Sequence, residues 1–171
     1  MSKIISLSQL PAVLKEARQK DRRLVLATGV FDLLHAEHQK FLQAASEQGD
    51  VFLVGIETDR RVRKLKGRGR PVWNLTKRLK SLAQLEEIDF VFPLPDKFDN
   101  LADYEQFMAL VRPDVLAVSS HSPFQKIKRE LTEKYGGKLK IVLPHNPIIS
   151  TTKMMQEFKK DLRTVKTLDK R

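Results

Sequence analysis

Short apolar runs alternate with amphipathic stretches along this chain, and that rhythm predicts its architecture. Arg23 to Thr28 (around Leu24-Val25-Leu26), Val51 to Ile56, Phe90-Val91-Phe92, Val115 to Val118 and Leu139 to Leu143 are apolar segments of strand length. Continuous runs of this kind suit strands buried on both faces of a parallel sheet. Between them, apolar residues recur at helical spacing. Ser8 to Lys20 carries Leu10, Val13, Leu14 and Ala17, with Ser8 as its cap. Gln39 to Gln48 carries Phe41, Leu42, Ala44 and Ala45. Thr58 and Asp59 offer caps for a short helix through Leu65. Leu75 to Glu86, Leu101 to Val111 and Phe124 to Tyr135 complete the helical stretches, and Ser150-Thr151-Thr152 caps a last one from Lys153. Gly49, Arg112-Pro113 and Gly136-Gly137 punctuate the ends. Lys66 to Trp73, with two glycines and a proline, reads as a loop.

Strands and helices in strict alternation predict an α/β fold: a Rossmann-like, doubly wound parallel sheet of five strands with helices on both faces. The expected organisation is a single domain, with an N-terminal helix over 1–22, a core over 23–153 and a C-terminal helix and tail over 154–171. A length of 171 residues suits one hydrophobic core. The absence of cysteine excludes disulfides, thiolate metal sites and thiolate nucleophiles. No apolar run approaches the ~20 residues needed to cross a bilayer, and no secretory leader pattern is visible. The expected location is the cytoplasm, with no membrane partner.

The net charge of +11 sharpens the picture through its placement. Ten basic side chains and no acidic one lie between Arg60 and Lys80. Such a stripe suits nucleic acid or small phosphorylated ligands. No nucleic-acid recognition motif accompanies it, and two tyrosines with one tryptophan offer little for base stacking. Trp73 is open between an exposed lid residue and a subunit contact.

The stretch Gly29-Val30-Phe31-Asp32-Leu33-Leu34-His35-Ala36-Glu37-His38 joins the first strand to the next helix. Histidines three apart at a helix start fall on nearly one face. Unpaired backbone N–H groups and the positive end of the helix dipole gather there, so the stretch makes a candidate phosphate site. With no cysteine and no third ligand at metal spacing, the pair suits phosphate better than a metal ion. Asp32 is expected to cap its own turn, and Asp59 and Asp89 to be structural.

G-x-F-D-x-x-H-x-x-H after a strand resembles the signature of the cytidylyltransferase-like nucleotidyltransferases, whose usual form is H-x-G-H. Further along, Lys66-Gly67 and Arg70-Pro71 resemble the K-G-x-x-R-P of bacterial heptose-phosphate adenylyltransferases. Arg78 stands where that group has the arginine opening its next helix. Ile149-Ser150-Thr151-Thr152-Lys153 is similar to the I-S-T-T-K of glycerol-3-phosphate cytidylyltransferases. Three positions depart from the pattern: Glu37 replaces the motif glycine, Ser119-Ser120-His121 replaces G-G-D or G-D-D, and His145-Asn146-Pro147-Ile148 lacks the arginine ahead of I-S-T-T.

The resemblance implies transfer of a nucleoside monophosphate from ATP or CTP to a phosphorylated sugar, polyol or similar acceptor, with release of pyrophosphate. ATP is favoured because K-G-x-x-R-P aligns with the adenylyl-transferring relatives. It implies His35, His38 and Lys66 as catalytic residues, and Gly29, Val30, Phe31, Arg78, Ser150, Thr151 and Thr152 as nucleotide-binding. Lys64 and Arg70 fall to the acceptor phosphate. Mg2+ is expected with the triphosphate, no metal site is expected on the protein itself, and a homodimer is a possible assembly. The alternative is a nucleotide-binding homologue impaired in turnover. Glu37 is expected to turn aside and pair with Lys40 or Arg60, because a free carboxylate would repel a triphosphate.

Overall fold

Leu26 and Leu53, both wholly buried, mark the centre of the molecule. Each such side chain stabilises the fold by about 1.5–3 kcal/mol relative to exposure. They lie on adjacent strands of one sheet in a computed structural model that describes residues 2–143. The sheet contains β1 (Leu24–Gly29), β2 (Val51–Ile56), β3 (Phe90–Pro93), β4 (Val115–Ser119) and β5 (Lys138–Leu143), in the order β3-β2-β1-β4-β5, with every neighbouring pair parallel.

Both faces are covered, which is why the strands read as unbroken apolar runs. On one face Leu24, Leu26, Val51 and Leu53 pack with residues of α1 (Leu10–Gln19), α5 (Leu101–Val111) and α6 (Gln125–Lys134). On the other, Val25, Ala27, Phe52 and Val54 pack with residues of α2 (Ala36–Ser46) and α4 (Leu75–Ala83). A short helix, α3 (Asp59–Lys66), follows β2 with Thr58 as its cap. The expected α/β architecture is therefore present. Among the described residues no helix is long and apolar enough to cross a membrane.

The two ends of the sheet are finished differently. At the amino ends, Asp50, Asp89 and Asp114 accept the leading backbone N–H groups of Arg23, Phe52 and Leu24 at 2.7–2.8 Å. These carboxylates are structural, as expected for Asp89. At the carboxyl ends the chain winds outward from β1 through β2 to β3, then returns to β4 on the opposite side of β1. That reversal opens a crevice beyond β1 and β4, where α/β sheets bind ligands.

Several boundaries differ from the pattern-based expectation for local reasons. α1 begins at Leu10 because the Ser8 hydroxyl is engaged with Ser6 rather than capping. α4 stops at Ala83, short of Glu86, and the Lys3 ammonium takes the carbonyls of Leu85 and Glu86. The backbone of Lys3 and Ile5 pairs with Val91, covering the open edge of β3. α2 starts at Ala36, beside the histidines as expected, with Gln39 onward as its body. The helix expected from Lys153 lies outside the described residues.

Candidate active site

The turn between β1 and α2 is shaped by one close approach. Phe31 adopts a left-handed backbone (φ 45°) and is almost wholly buried. That conformation costs a bulky residue on the order of 1 kcal/mol. Its ring folds back so that a Cβ at position 29 would lie 2.8 Å from it, which leaves room only for glycine. The other side of the ring meets His38 edge-on, at 5.4 Å between centroids. The Phe31 ring thus packs against both Gly29 and His38.

His35 is the N-cap of α2, a position usually held by Ser, Thr, Asp or Asn. Its Nδ1 accepts the His38 backbone N–H at 3.4 Å, which fixes the helix start at Ala36. The two imidazoles stack, with centroids 3.8 Å apart and planes 18° from parallel. The His38 Nδ1 lies 3.1 Å from the Leu33 carbonyl, which accepts only, so Nδ1 carries the proton. The proton of neutral His35 sits instead on Nε2. His35 can therefore donate to a ligand while neutral, whereas His38 must gain a second proton to do so. Burial pushes His38 down to about 4, helped by His35, Lys66 and His121 and opposed by the Leu33 carbonyl. Burial also lowers His35, with Glu37 pulling the other way.

Further cations converge on the same place. Lys66, the last residue of α3, lies on the accessible surface yet is held below the ordinary lysine value, first by desolvation of its ammonium and then by Arg70. Asp32 partly offsets this. The carboxylate of Asp32 is only 1% exposed and binds Arg70 Nε at 2.9 Å. It also accepts the backbone N–H groups of Val72 and Trp73 at 2.8–2.9 Å. Asp32 therefore staples the loop after α3 across forty residues instead of capping its own turn. Pattern reading missed this because the partner segment carries no signal of its own. Trp73 lies half-buried in that loop, with the Lys77 ammonium 4.2 Å from its ring centroid.

Two other basic residues stand apart from the expected phosphate contacts. Arg78 is wholly buried, and its guanidinium donates to the carbonyls of Trp73 and Val30 and to the Asp59 carboxylate at 2.6–3.0 Å. In this arrangement it ties the loop and α4 to the β1 turn, and it offers no surface to a ligand. Lys64 pairs with Asp99 at 3.2 Å, alongside Arg61, which bridges Glu57 and Asp99 at 2.6 Å each. Arg60 joins the same network through Asp96 and Asp99. Lys64 thus faces a carboxylate cluster, not the histidines. Glu37 does turn aside: it pairs with Lys40 at 3.0 Å and not with Arg60. Ser150, Thr151, Thr152 and the 145–148 segment lie outside the described residues.

A family model described as cytidylyltransferase-like matches residues 26–165. The chain belongs to that family. Among curated members it is 35% identical over 157 residues to the Bifunctional protein HldE of Alcanivorax borkumensis, covering 91% of this chain and 32% of that one. It is likewise 35% identical over 159 residues to the HldE of a Pseudomonas fluorescens strain, covering 92% and 32%. The chain therefore spans about a third of the length of these curated relatives. Two solved structures show the same fold. A lipopolysaccharide core biosynthesis protein from Thermoplasma volcanium matches at 24% identity and a TM-score of 0.58, covering 73% of this chain and 97% of that one. A pantoate-beta-alanine ligase from Francisella tularensis matches at 15% identity and a TM-score of 0.63, covering 86% and 69%.

Proposed function

We propose that this cytidylyltransferase-like chain transfers a nucleoside monophosphate from ATP, or secondarily CTP, to a phosphorylated sugar or polyol. The observation that carries this reading is the gathering of His35, His38, Lys66 and Arg70 at the crevice, where burial lowers both histidines and Lys66, and neighbouring cationic groups lower His38 and Lys66 further. Groups that raise one another's cost of charging are stabilised together by an anion of high charge.

In the reaction, an oxygen of the acceptor phosphate attacks the α-phosphorus in line, the bond to the β-phosphate bridging oxygen breaks, and pyrophosphate leaves with that electron pair. No protein nucleophile is needed. The side chains position the reactants and neutralise charge spread over the phosphoryl oxygens. His35 Nε2 donates as it stands, and His38 donates after taking up a proton drawn by the triphosphate. Lys66 supplies a point charge and Arg70 a planar fork steadied by Asp32. Among the described residues no cluster of three His, Asp or Glu could cage a metal. A magnesium ion would accordingly be held by triphosphate oxygens and water.

A second reading, nucleotide binding without turnover, rests on Glu37 in place of the motif glycine. Pyrophosphate release separates the two. The protein is incubated with magnesium and ATP or CTP against a panel of sugar and polyol phosphates. Release that requires one triphosphate and one acceptor supports the enzyme. Thermal stabilisation by a triphosphate without release supports the second reading, and neither response overturns both.

A further inference from the structure

The crevice has a second wall, on the α6 side, whose chemistry differs from that of the histidine wall. Lys128 lies on the second turn of α6, one turn before the buried Thr132, whose hydroxyl bonds the Lys128 carbonyl at 2.6 Å. Its stem therefore rises from the sheet-facing side of the helix toward the carboxyl ends of the strands. The ammonium is half-buried and forms one hydrogen bond, to the Ser122 hydroxyl at 2.8 Å. It forms no ion pair among the described residues. Burial holds it below the ordinary lysine value, and Glu57, directly after β2, is the carboxylate that pulls it back. Glu57 is itself only 14% exposed at the side chain and already bonded to Arg61 at 2.6 Å.

Among the described residues, the other two N–H bonds of this half-buried ammonium meet no acceptor. They are available to a ligand's oxygens. The loop that carries Ser122 is fixed in place. Gln125 Nε2 donates to the carbonyls of Ser119 and Ser120, and the Ser120 N–H donates to the Leu143 carbonyl. The wall therefore presents a cation, a hydroxyl and a nearby carboxylate in a rigid frame.

We propose that Lys128 and Ser122 bind vicinal hydroxyl groups of a substrate, with Glu57 keeping this wall unattractive to a second phosphate. A diol offers oxygens to the ammonium and O–H groups to the serine, and it carries no charge for Glu57 to repel. The diol has two sources in the proposed reaction, the ribose of the nucleotide or the body of the acceptor. This assignment rests on the nucleotidyl-transfer reading.

The test compares wild type, Lys128→Met, Lys128→Arg and Ser122→Ala by calorimetric titration with ATP, 2′,3′-dideoxy-ATP, mannose 1-phosphate and glycerol 3-phosphate. Lys128→Met weakens ATP at least 10-fold while dideoxy-ATP binds both proteins alike, if the ribose is the occupant. It leaves ATP unchanged and weakens the acceptor probes at least 10-fold, if the acceptor is. Lys128→Arg recovers part of either loss. Ser122→Ala shows the same selectivity at about 3-fold, and carries the test alone should Lys128→Met fail to fold. Equal weakening of ATP and dideoxy-ATP would place Lys128 on a phosphate and overturn the assignment, as would wild-type affinities throughout. A wild type that binds none of the four probes overturns both this inference and the proposed function.

Discussion

The basic stripe from Arg60 to Lys80 is continuous in sequence, but the fold divides it into two regions of opposite character. Arg60, Arg61 and Lys64 turn toward Glu57, Asp96 and Asp99 and are neutralised there. Lys66 lies near His38, with Arg70 beside it, and Asp32 is the carboxylate that answers Arg70. The first group is an ion-pair network that braces α3 against the loop before α5. The second retains an excess of positive charge. What separates them is the placement of Asp96 and Asp99, 35 to 39 residues downstream of their partners, so charge that is alike in sequence becomes structural in one region and available to a ligand in the other.

The largest effect expected from breaking this division is at Arg78, which belongs to neither group. Truncation by Arg78→Ala empties the wholly buried guanidinium site and leaves two carbonyls and the part-exposed Asp59 carboxylate without their donor. A loss of about 3–5 kcal/mol in denaturant unfolding follows, enough to leave little folded protein. Next comes the ligand-facing group. His38→Ala or Lys66→Ala should lower turnover by ~10²-fold or more in the pyrophosphate-release assay, because each removes charge stabilisation at the reacting phosphates. Lys64→Ala, drawn from the neutralised group, should change turnover by less than ~2-fold, as an exposed pair contributes little. Similar losses at Lys64 and Lys66 would erase the distinction between the regions.

Acid stability sharpens the same contrast. The folded value of His38, about 4, lies below the ordinary histidine value. Between about pH 6.5 and 4 the unfolded chain therefore holds more protons than the folded one, and stability falls as pH falls through that window. Thermal melts of His38→Gln should show a flatter dependence there than wild type. A modest effect is expected at Glu37. Its carboxylate is paired with Lys40, so Glu37→Gly should tighten triphosphate binding only modestly, by a few-fold in calorimetry. Weaker binding would give the glutamate a positive role toward the ligand.

The fold was legible because the three central strands are largely buried on both faces and most helices carry an apolar stripe, so period and length settle most element types. The family was legible for a different reason, since the β1 turn and the Lys66–Pro71 segment are local in sequence. What escaped were relations between distant side chains. Arg78 has the same neighbours in sequence whether it reaches a phosphate or buries itself against Asp59. Lys64 and Lys66 differ by two positions, which on a helix is a turn of about 200° and a change of face. The Asp32 staple depends on the loop after α3 folding back over the β1 turn, and the Lys128 wall on the return of the chain to β4 beside β1. The start of α2 at the histidines was legible, but the capping role of His35 was not, because histidine is an uncommon cap.

The protonation state of His38 tests the central claim most directly, because it reports on the region left charged for a ligand. Nitrogen-detected NMR of the imidazoles, followed from pH 8 to 4 with and without ATP or CTP, reads tautomer and charge together. In the free protein His38 should be the neutral Nδ1–H form down to about pH 4, with His35 in the Nε2–H form. A bound triphosphate should move His38 to the doubly protonated form near neutral pH. A His38 whose tautomer and titration are untouched by saturating ATP and CTP would contradict the assignment of this crevice to nucleotide phosphates.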